Sequence, residues 1–399
     1  MSDTHGRRPA FATAICFLCA ILAWGTVLYS HSVYMDALMR IHGWSASLIS
    51  SAIFVFWIAS LPGTLNAGVM VDRYGPPPVF AIGGLCIGLS LIGLGSVDAP
   101  WQLYIVYAVM GFGYPAMSSA AISPTLAPWF EKNFGMALGI ALTGASVGGA
   151  IIPVIIVQGT AARGFGPTMF GIGIGLLSLV LFVVIALSLL GRHKPADDPV
   201  KPRPPFSMRA VLRRPLFWRI SAAASLGLAG QVAFLAHQVP FIAATTDRVF
   251  AAYMVTVVAI AAAVGRISIG LLSRYIRVTW LAALSYFIHG LGIVFLIFSD
   301  TSNLIIAGCV LAGLAVGPIV MLPPILVREA FGNDGFGRTF SMVNAAMYFL
   351  AAMAPLVVGV MRDHVGGYET GLWVPVVMEV VAAGLIVGAM RNNGAEVSR

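Results

Sequence analysis

Twelve apolar runs of 19 to 28 residues follow one another along the chain, separated by shorter polar connections. A helix of about 20 residues crosses the ~30 Å hydrocarbon layer of a bilayer. Backbone groups in lipid need partners inside their own segment, which favours helices. The runs cover residues 11–36, 46–71, 79–97, 101–126, 134–159, 166–190, 216–243, 250–272, 279–298, 303–327, 340–361 and 372–390. We therefore predict an all-α membrane protein with twelve transmembrane helices.

The composition argues against a soluble protein and against an enzyme. Only 10% of the 399 residues are charged and 59% are hydrophobic, whereas soluble proteins have roughly 25% charged and about 45–50% apolar residues. The four cysteines lie inside apolar runs, the seven histidines are dispersed, and the sequence has no His-Glu-x-x-His motif. We expect no catalytic site, no metal site and no cofactor.

A polar stretch with five prolines interrupts the pattern between the sixth and seventh runs, from Arg192 to Arg214. Its position divides the chain into two halves of six runs each. We predict that residues 1–191 form an N-terminal six-helix bundle and that residues 215–399 form a C-terminal six-helix bundle. Residues 192–214 are predicted to be a cytoplasmic linker.

The two halves carry similar sequences at equivalent places. Gly68 and residues 72–75 (Asp-Arg-Tyr-Gly) end the second run, while Gly270 and residues 273–275 (Ser-Arg-Tyr) end the eighth. Repeats of this size are typical of transporters, which handle substrate where the repeats meet. The sequence therefore predicts two pseudo-symmetric bundles that move about a central site.

The positions of the basic residues predict the orientation in the membrane. With the N-terminus inside, the cytoplasmic side carries 18 basic residues and the outer side carries four, namely Arg40, Arg163, Arg248 and Arg362. Cytoplasmic loops of membrane proteins are enriched in Lys and Arg. We expect an inner-membrane protein with both termini in the cytoplasm and no nucleic-acid partner.

The loop after the second run resembles the signature of the major facilitator superfamily. The matching residues are Gly68, Asp72, Arg73 and Gly75. Glycine permits a tight turn and a close helix approach, and the resemblance implies a role for this loop in conformational switching. The match ends after Gly75, where three prolines replace the usual basic residues.

A narrower resemblance lies in the fifth run. Trp129 and Phe130 precede a series of small residues that includes Gly135, Gly139, Gly144 and Gly148. This series is similar to the helix-five signature of the monocarboxylate transporter family and its bacterial relatives, with the oxalate:formate antiporter as a neighbour. The glycines themselves favour close packing of helices, because small residues let backbones approach in lipid.

Arg266, in the eighth run, is the one basic residue predicted inside the membrane, near the centre of that run. Placing an arginine at mid-membrane costs ~2.5–3.5 kcal/mol on insertion scales, so its presence there indicates a functional role. Its planar guanidinium fits a carboxylate with two hydrogen bonds. The resemblance implies the same role, since Arg266 matches the carboxylate ligand of the monocarboxylate transporters. A permanent ion pair or snorkelling to the cytoplasmic face are the structural alternatives.

Other polar residues inside the runs are weaker candidates. His237 resembles a substrate-facing histidine of the bacterial relatives, and histidine also titrates near neutral pH. Glu379 and Asp36 are the other candidates for proton coupling, although a structural role suits Glu379 equally. Hydroxyl and amide groups could orient a carboxylate in a mostly apolar pocket. The candidate substrate-binding residues of this kind are Tyr34, Tyr107, Tyr114, Asn344 and Tyr348.

These observations predict a secondary transporter of small monocarboxylate anions that works by alternating access, with possible proton symport. Run 340–361 has no basic residue, so Arg266 is predicted to be the single positive charge of the site. One positive charge favours a monoanion over a dianion. Anion exchange of the oxalate:formate type and drug or metabolite efflux remain alternatives. The expected partners are a small carboxylate, protons and the lipid bilayer, and we expect a monomer.

Overall fold

The structure, a computed structural model, describes residues 4–130, 134–191, 207–332 and 336–396. Most of the predicted linker, residues 192–206, lies outside the described residues. The helices are α1 (Thr4–Ala23), α2 (His31–His42), α3 (Ala46–Tyr74), α4 (Pro76–Leu94), α5 (Pro100–Gly113), α6 (Ser119–Leu126), α7 (Phe134–Arg163), α8 (Phe165–Leu190), α9 (Met208–Leu212), α10 (Pro215–Ile242), α11 (Arg248–Leu272), α12 (Val278–Ile297), α13 (Ser302–Phe331), α14 (Phe336–Met361) and α15 (Gly367–Glu396).

The predicted all-helical membrane architecture is confirmed. Eleven segments of the described chain are long and apolar enough to cross a bilayer. The last of them is the 50-residue segment Thr339–Gly388, which contains parts of both α14 and α15. Two helices in one segment account for the difference from the twelve predicted runs. Large apolar side chains such as Phe112 and Leu189 are 54% and 82% exposed, as lipid-facing residues are.

The chain forms two compact units. Unit 1 contains Met1–Trp44, Ser51–Asp198 and Thr246–Thr256, and unit 2 contains Ser45–Ser50, Pro199–Thr245 and Val257–Arg399. The beginning of α3 therefore belongs to unit 2, and the beginning of α11 belongs to unit 1. The division of the sequence into two six-helix bundles stays a prediction.

In unit 1, α1 packs against α7 and α4 packs against α8. Close approach between α1 and α7 depends on glycine, because a Cβ at Gly144 would overlap the carbonyl oxygen of Phe17, and one at Gly148 would overlap that of Ile21. The glycine series of the fifth run is thus explained at these two positions by helix packing. Gly139 differs, since a Cβ there would meet nothing within 4 Å among the described residues.

In unit 2, α10 packs against α14 and α15, and α12 packs against α13 and α15. The helix α10 is the most deeply buried of these, with an apolar core that includes Ala229 and Ala233 against Ala354 and Val358 of α14. This packing holds the polar side chains of α10, α12 and α15 inside the unit, away from lipid.

Candidate functional site

Arg266 lies on α11, six residues before the last residue of that helix, Leu272. At 1.5 Å per residue this is about 9 Å from the helix end, so the residue lies in the last third of the helix and not at its centre. Its side chain is partly buried and crosses Gly317 of α13. A Cβ at position 317 would overlap Cγ of Arg266 and the carbonyl oxygen of Ala262, and it would lie 3.1 Å from Nε of Arg266. Glycine at 317 therefore leaves room for the arginine side chain and for the close approach of α11.

His237 lies on α10 and is completely buried. Its Nε2 is 2.9 Å from the carbonyl oxygen of Pro355 and 3.2 Å from Oγ of Ser50, a residue of unit 2. A carbonyl only accepts hydrogen bonds, so Nε2 carries the proton and Nδ1 is the acceptor. The ring also lies 5.6 Å from that of Tyr368. Nδ1 is the atom of His237 that remains for a ligand.

Glu379 on α15 and His289 on α12 form a pair with a distance of 2.6 Å between Oε1 and Nδ1. Both side chains are completely buried. Gly230 and Gly290 lie against the side chain of Glu379, and a Cβ at Gly230 would be 2.9 Å from Oε1. A single shared proton keeps such a pair neutral overall, which a buried apolar environment requires. The sequence indicated Glu379, but its partner could only be identified from the packing.

Three predicted tyrosines lie in unit 1. Tyr107 is completely buried on α5, and Tyr114 contacts Phe56 at 5.5 Å between ring centroids. Tyr114 also meets Trp24 edge-on at 5.8 Å. The hydroxyl of Tyr34 donates to the carbonyl oxygen of Thr26 at 2.6 Å, so the hydroxyl proton is already hydrogen-bonded within the protein.

His31, which sequence reasoning passed over, lies in the same aromatic cluster. Its ring stacks on Tyr107 at 5.5 Å with an angle of 19° between planes, and meets Phe56 edge-on at 5.1 Å. The signal available in the sequence was a histidine between two serines, Ser30 and Ser32, inside the first apolar run. Two buried glutamines of α10, Gln231 and Gln238, were missed in the same way.

The remaining predicted residues have local partners. Asn344 hydrogen-bonds Tyr348 on α14. Asp36 on α2 lies 3.2 Å from Nε of both Arg40 and Arg248, within unit 1, and its side chain is 14% exposed. The predicted site residues are thus divided between unit 1 and unit 2.

The loop motif joins α3 to α4. Asp72 and Arg73 are exposed at the end of α3, and the Arg73 guanidinium lies 5.3 Å from the ring centroid of Tyr74. Gly75 has φ of 85°, a conformation that side chains disfavour, and it allows the chain to turn directly into the prolines of α4. A Cβ at Gly68 would meet no described atom within 4 Å, so this structure shows no close helix approach there.

These helices and buried polar groups describe a multi-pass membrane protein. The family model of the Major Facilitator Superfamily matches residues 13–355. The chain therefore belongs to this superfamily, as the loop motif indicated.

The individual relatives have low sequence identity to this chain. An agnestins efflux protein from Paecilomyces divaricatus is 26% identical over 293 residues, which are 70% of this chain and 64% of that protein. The oxalate:formate antiporter of Oxalobacter formigenes is 23% identical over 228 residues, 57% of this chain and 54% of that protein. The chain thus covers less than two thirds of the length of either relative. The crystal structure of a nucleoside transporter is similar with a TM-score of 0.76 and 13% identity, covering 96% of this chain and 99% of the other.

Proposed function

We propose that the protein is a secondary transporter of small monocarboxylate anions in the inner membrane, with both termini in the cytoplasm. It works by alternating access as a monomer. Arg266 binds the carboxylate, and His237, in the same unit, contacts the rest of the substrate. The superfamily assignment supports transport, and the excess of basic residues on one side supports the orientation.

The observation that carries the choice of substrate is the position of Arg266. A guanidinium keeps its charge in a protein, and its fork of N–H donors matches the two oxygens of a carboxylate. The side chain lies across Gly317, where any larger residue would displace it. The single negative charge of a monocarboxylate is opposite to that of the guanidinium, which favours binding of this class of substrate.

The test is uptake of radiolabelled carboxylates into proteoliposomes. Arg266→Ala is expected to abolish uptake while leaving the amount of folded protein unchanged. Arg277→Ala is the matched control, because Arg277 is exposed at the start of α12 and should tolerate the change. Full uptake by the Arg266 variant would rule out the carboxylate role.

A substitution on α13 tests the position of Arg266 without removing its charge. Gly317→Ala should reduce uptake at least tenfold, because the new methyl group overlaps both Cγ of Arg266 and the carbonyl oxygen of Ala262 on α11. Gly313→Ala is the control one turn earlier on the same face of α13, where a Cβ would meet Ala261 and Val258 instead of the arginine. Equal effects of the two substitutions would show that helix packing alone accounts for the loss.

Anion exchange is the second candidate, favoured by the similarity to the oxalate:formate antiporter. Exchange predicts that labelled substrate enters only liposomes preloaded with an anion. Net uptake into empty liposomes, enhanced by an inwardly directed proton gradient, supports symport instead. Efflux of cationic compounds needs acidic side chains that can bind the cation, and it fits less well. Glu379 is paired with His289, and Asp36 is paired with Arg40 and Arg248.

A further inference from the structure

The helical segment of the first membrane span contains a π-helical stretch shortly before His31. Residues Trp24–Leu28 form a π-helix, and a turn at residues 29–30 precedes α2, which begins at His31. The hydroxyl of Ser30 donates to the carbonyl oxygen of Gly25 at 2.6 Å, so this carbonyl of the π-helical stretch has a hydrogen-bond partner. Short π-helical segments within α-helices are frequent at functional sites.

The imidazole of His31 is held among aromatic rings of unit 1 and is 2% exposed. Tyr107 stacks on one face, and Phe56 meets the ring edge-on. These contacts restrict the orientation of the ring. Neither aromatic ring offers a hydrogen-bond partner in the plane of the imidazole, where its two nitrogens point.

Comparison with the other buried histidines makes His31 unusual. His237 has Pro355 and Ser50 at Nε2, and His289 has Glu379 at Nδ1. Within the described part of the chain, both ring nitrogens of His31 lack a hydrogen-bond partner. The hydroxyl of Tyr107, on the ring stacked against it, lacks one as well.

Unpaired buried polar groups destabilise a protein, so their retention requires another benefit. A neutral imidazole presents one N–H donor and one acceptor nitrogen, and a phenol both donates and accepts. Among the groups that a small carboxylate can carry besides its charge, a hydroxyl matches this set, because it also donates and accepts. The two stacked side chains, whose polar atoms have no partner among the described residues, form a site for a neutral polar group.

We propose that His31 and the Tyr107 hydroxyl form a site within unit 1 that binds the hydroxyl group of a hydroxycarboxylate and thereby determines specificity among carboxylates. This proposal rests on the proposed function, in which the substrate is a small monocarboxylate.

The experiment compares propionate with 2-hydroxypropionate and 3-hydroxypropionate as competitors in proteoliposome uptake. Wild-type protein should bind one of the hydroxylated acids about tenfold more tightly than propionate, which corresponds to about 1.4 kcal/mol. His31→Leu should lose this discrimination while retaining propionate binding. His31→Gln, which keeps a donor and an acceptor, should recover part of it.

Thermal unfolding of the purified protein without substrate provides a second measurement. His31→Leu should leave the Tm unchanged or raise it, because it replaces unpaired polar atoms with an apolar side chain of similar volume. His289→Leu is the matched control at another completely buried histidine, and it should lower the Tm because Glu379 loses its partner. A merely structural His31 would behave like His289.

The outcomes separate the two proposals. If the wild type transports no carboxylate, the proposed function is wrong, and a Tm for His31→Leu at or above the wild-type value still supports a ligand site at His31. If carboxylates are transported but His31→Leu discriminates as the wild type does, the assignment of His31 is overturned. A fall in Tm equal to that of His289→Leu overturns it as well.

Discussion

The pair formed by Glu379 and His289 gives a sharp prediction about stability. Glu379→Ala removes the carboxyl group 2.6 Å from Nδ1 of His289 and leaves the imidazole unpaired in a site without exposure. Leaving a buried neutral group without its hydrogen-bond partner costs about 1–3 kcal/mol. With a shift of about 2–4 °C per kcal/mol for a large domain, the Tm should fall by about 2–12 °C.

Two variants show whether the pair is responsible. Glu379→Gln retains a side chain of the same shape that can accept or donate, so we expect a smaller loss, less than about 1 kcal/mol. Glu369→Ala removes an exposed carboxylate from the same helix, α15, and should change stability by less than about 0.5 kcal/mol. The assay is thermal unfolding in detergent, followed by fluorescence. A Glu379→Ala variant as stable as Glu369→Ala would refute the reasoning.

Two further predictions concern packing and helix termini. Gly148→Ala should destabilise the protein by about 1–3 kcal/mol, because the methyl group overlaps the backbone of α1. Gly139→Ala is the control and should be neutral or slightly stabilising, since alanine is the better helix former. Equal Tm values for the two variants would contradict this prediction. Asp363→Ala should cost about 1–2 kcal/mol, because Oδ2 accepts from the N–H of Ser47 at the start of α3, at 2.7 Å. Chemical denaturation measures that cost, and a midpoint equal to that of the wild type would show that water replaces the carboxylate without loss.

Much of the architecture was predictable because membrane spans are set by length and hydrophobicity. Each predicted run corresponds to a described helix or helix pair, since a helix is the structure that satisfies the backbone of a single segment in lipid. The loop motif identified the superfamily for a related reason. The sharp turn at Gly75 needs a positive φ, so its glycine is visible in the sequence.

The polar interior was harder to predict, since hydrogen-bond partners inside a helical membrane protein come from distant parts of the chain. Glu379 was evident as an acid in a span, yet His289, 90 residues away, decides that it is paired. His237 was expected to contact substrate, but Pro355 and Ser50 occupy its Nε2. Neither partner follows from helical periodicity, which reports the face of a helix and not its neighbour.

Length and hydrophobicity were enough to predict that the chain crosses a membrane as helices. The loop motif indicated the transporter superfamily, and its place inside an apolar run marked Arg266 as a candidate binding residue. Which polar side chains are satisfied within the protein followed only from the packing of the helices. His31 shows the difference most clearly. In the sequence it is one histidine in an apolar run, while in the fold it is stacked on Tyr107 with both nitrogens unpaired among the described residues. Hydrophobicity is a property of each segment, whereas hydrogen bonding of a buried group depends on what packing brings within about 3 Å of it.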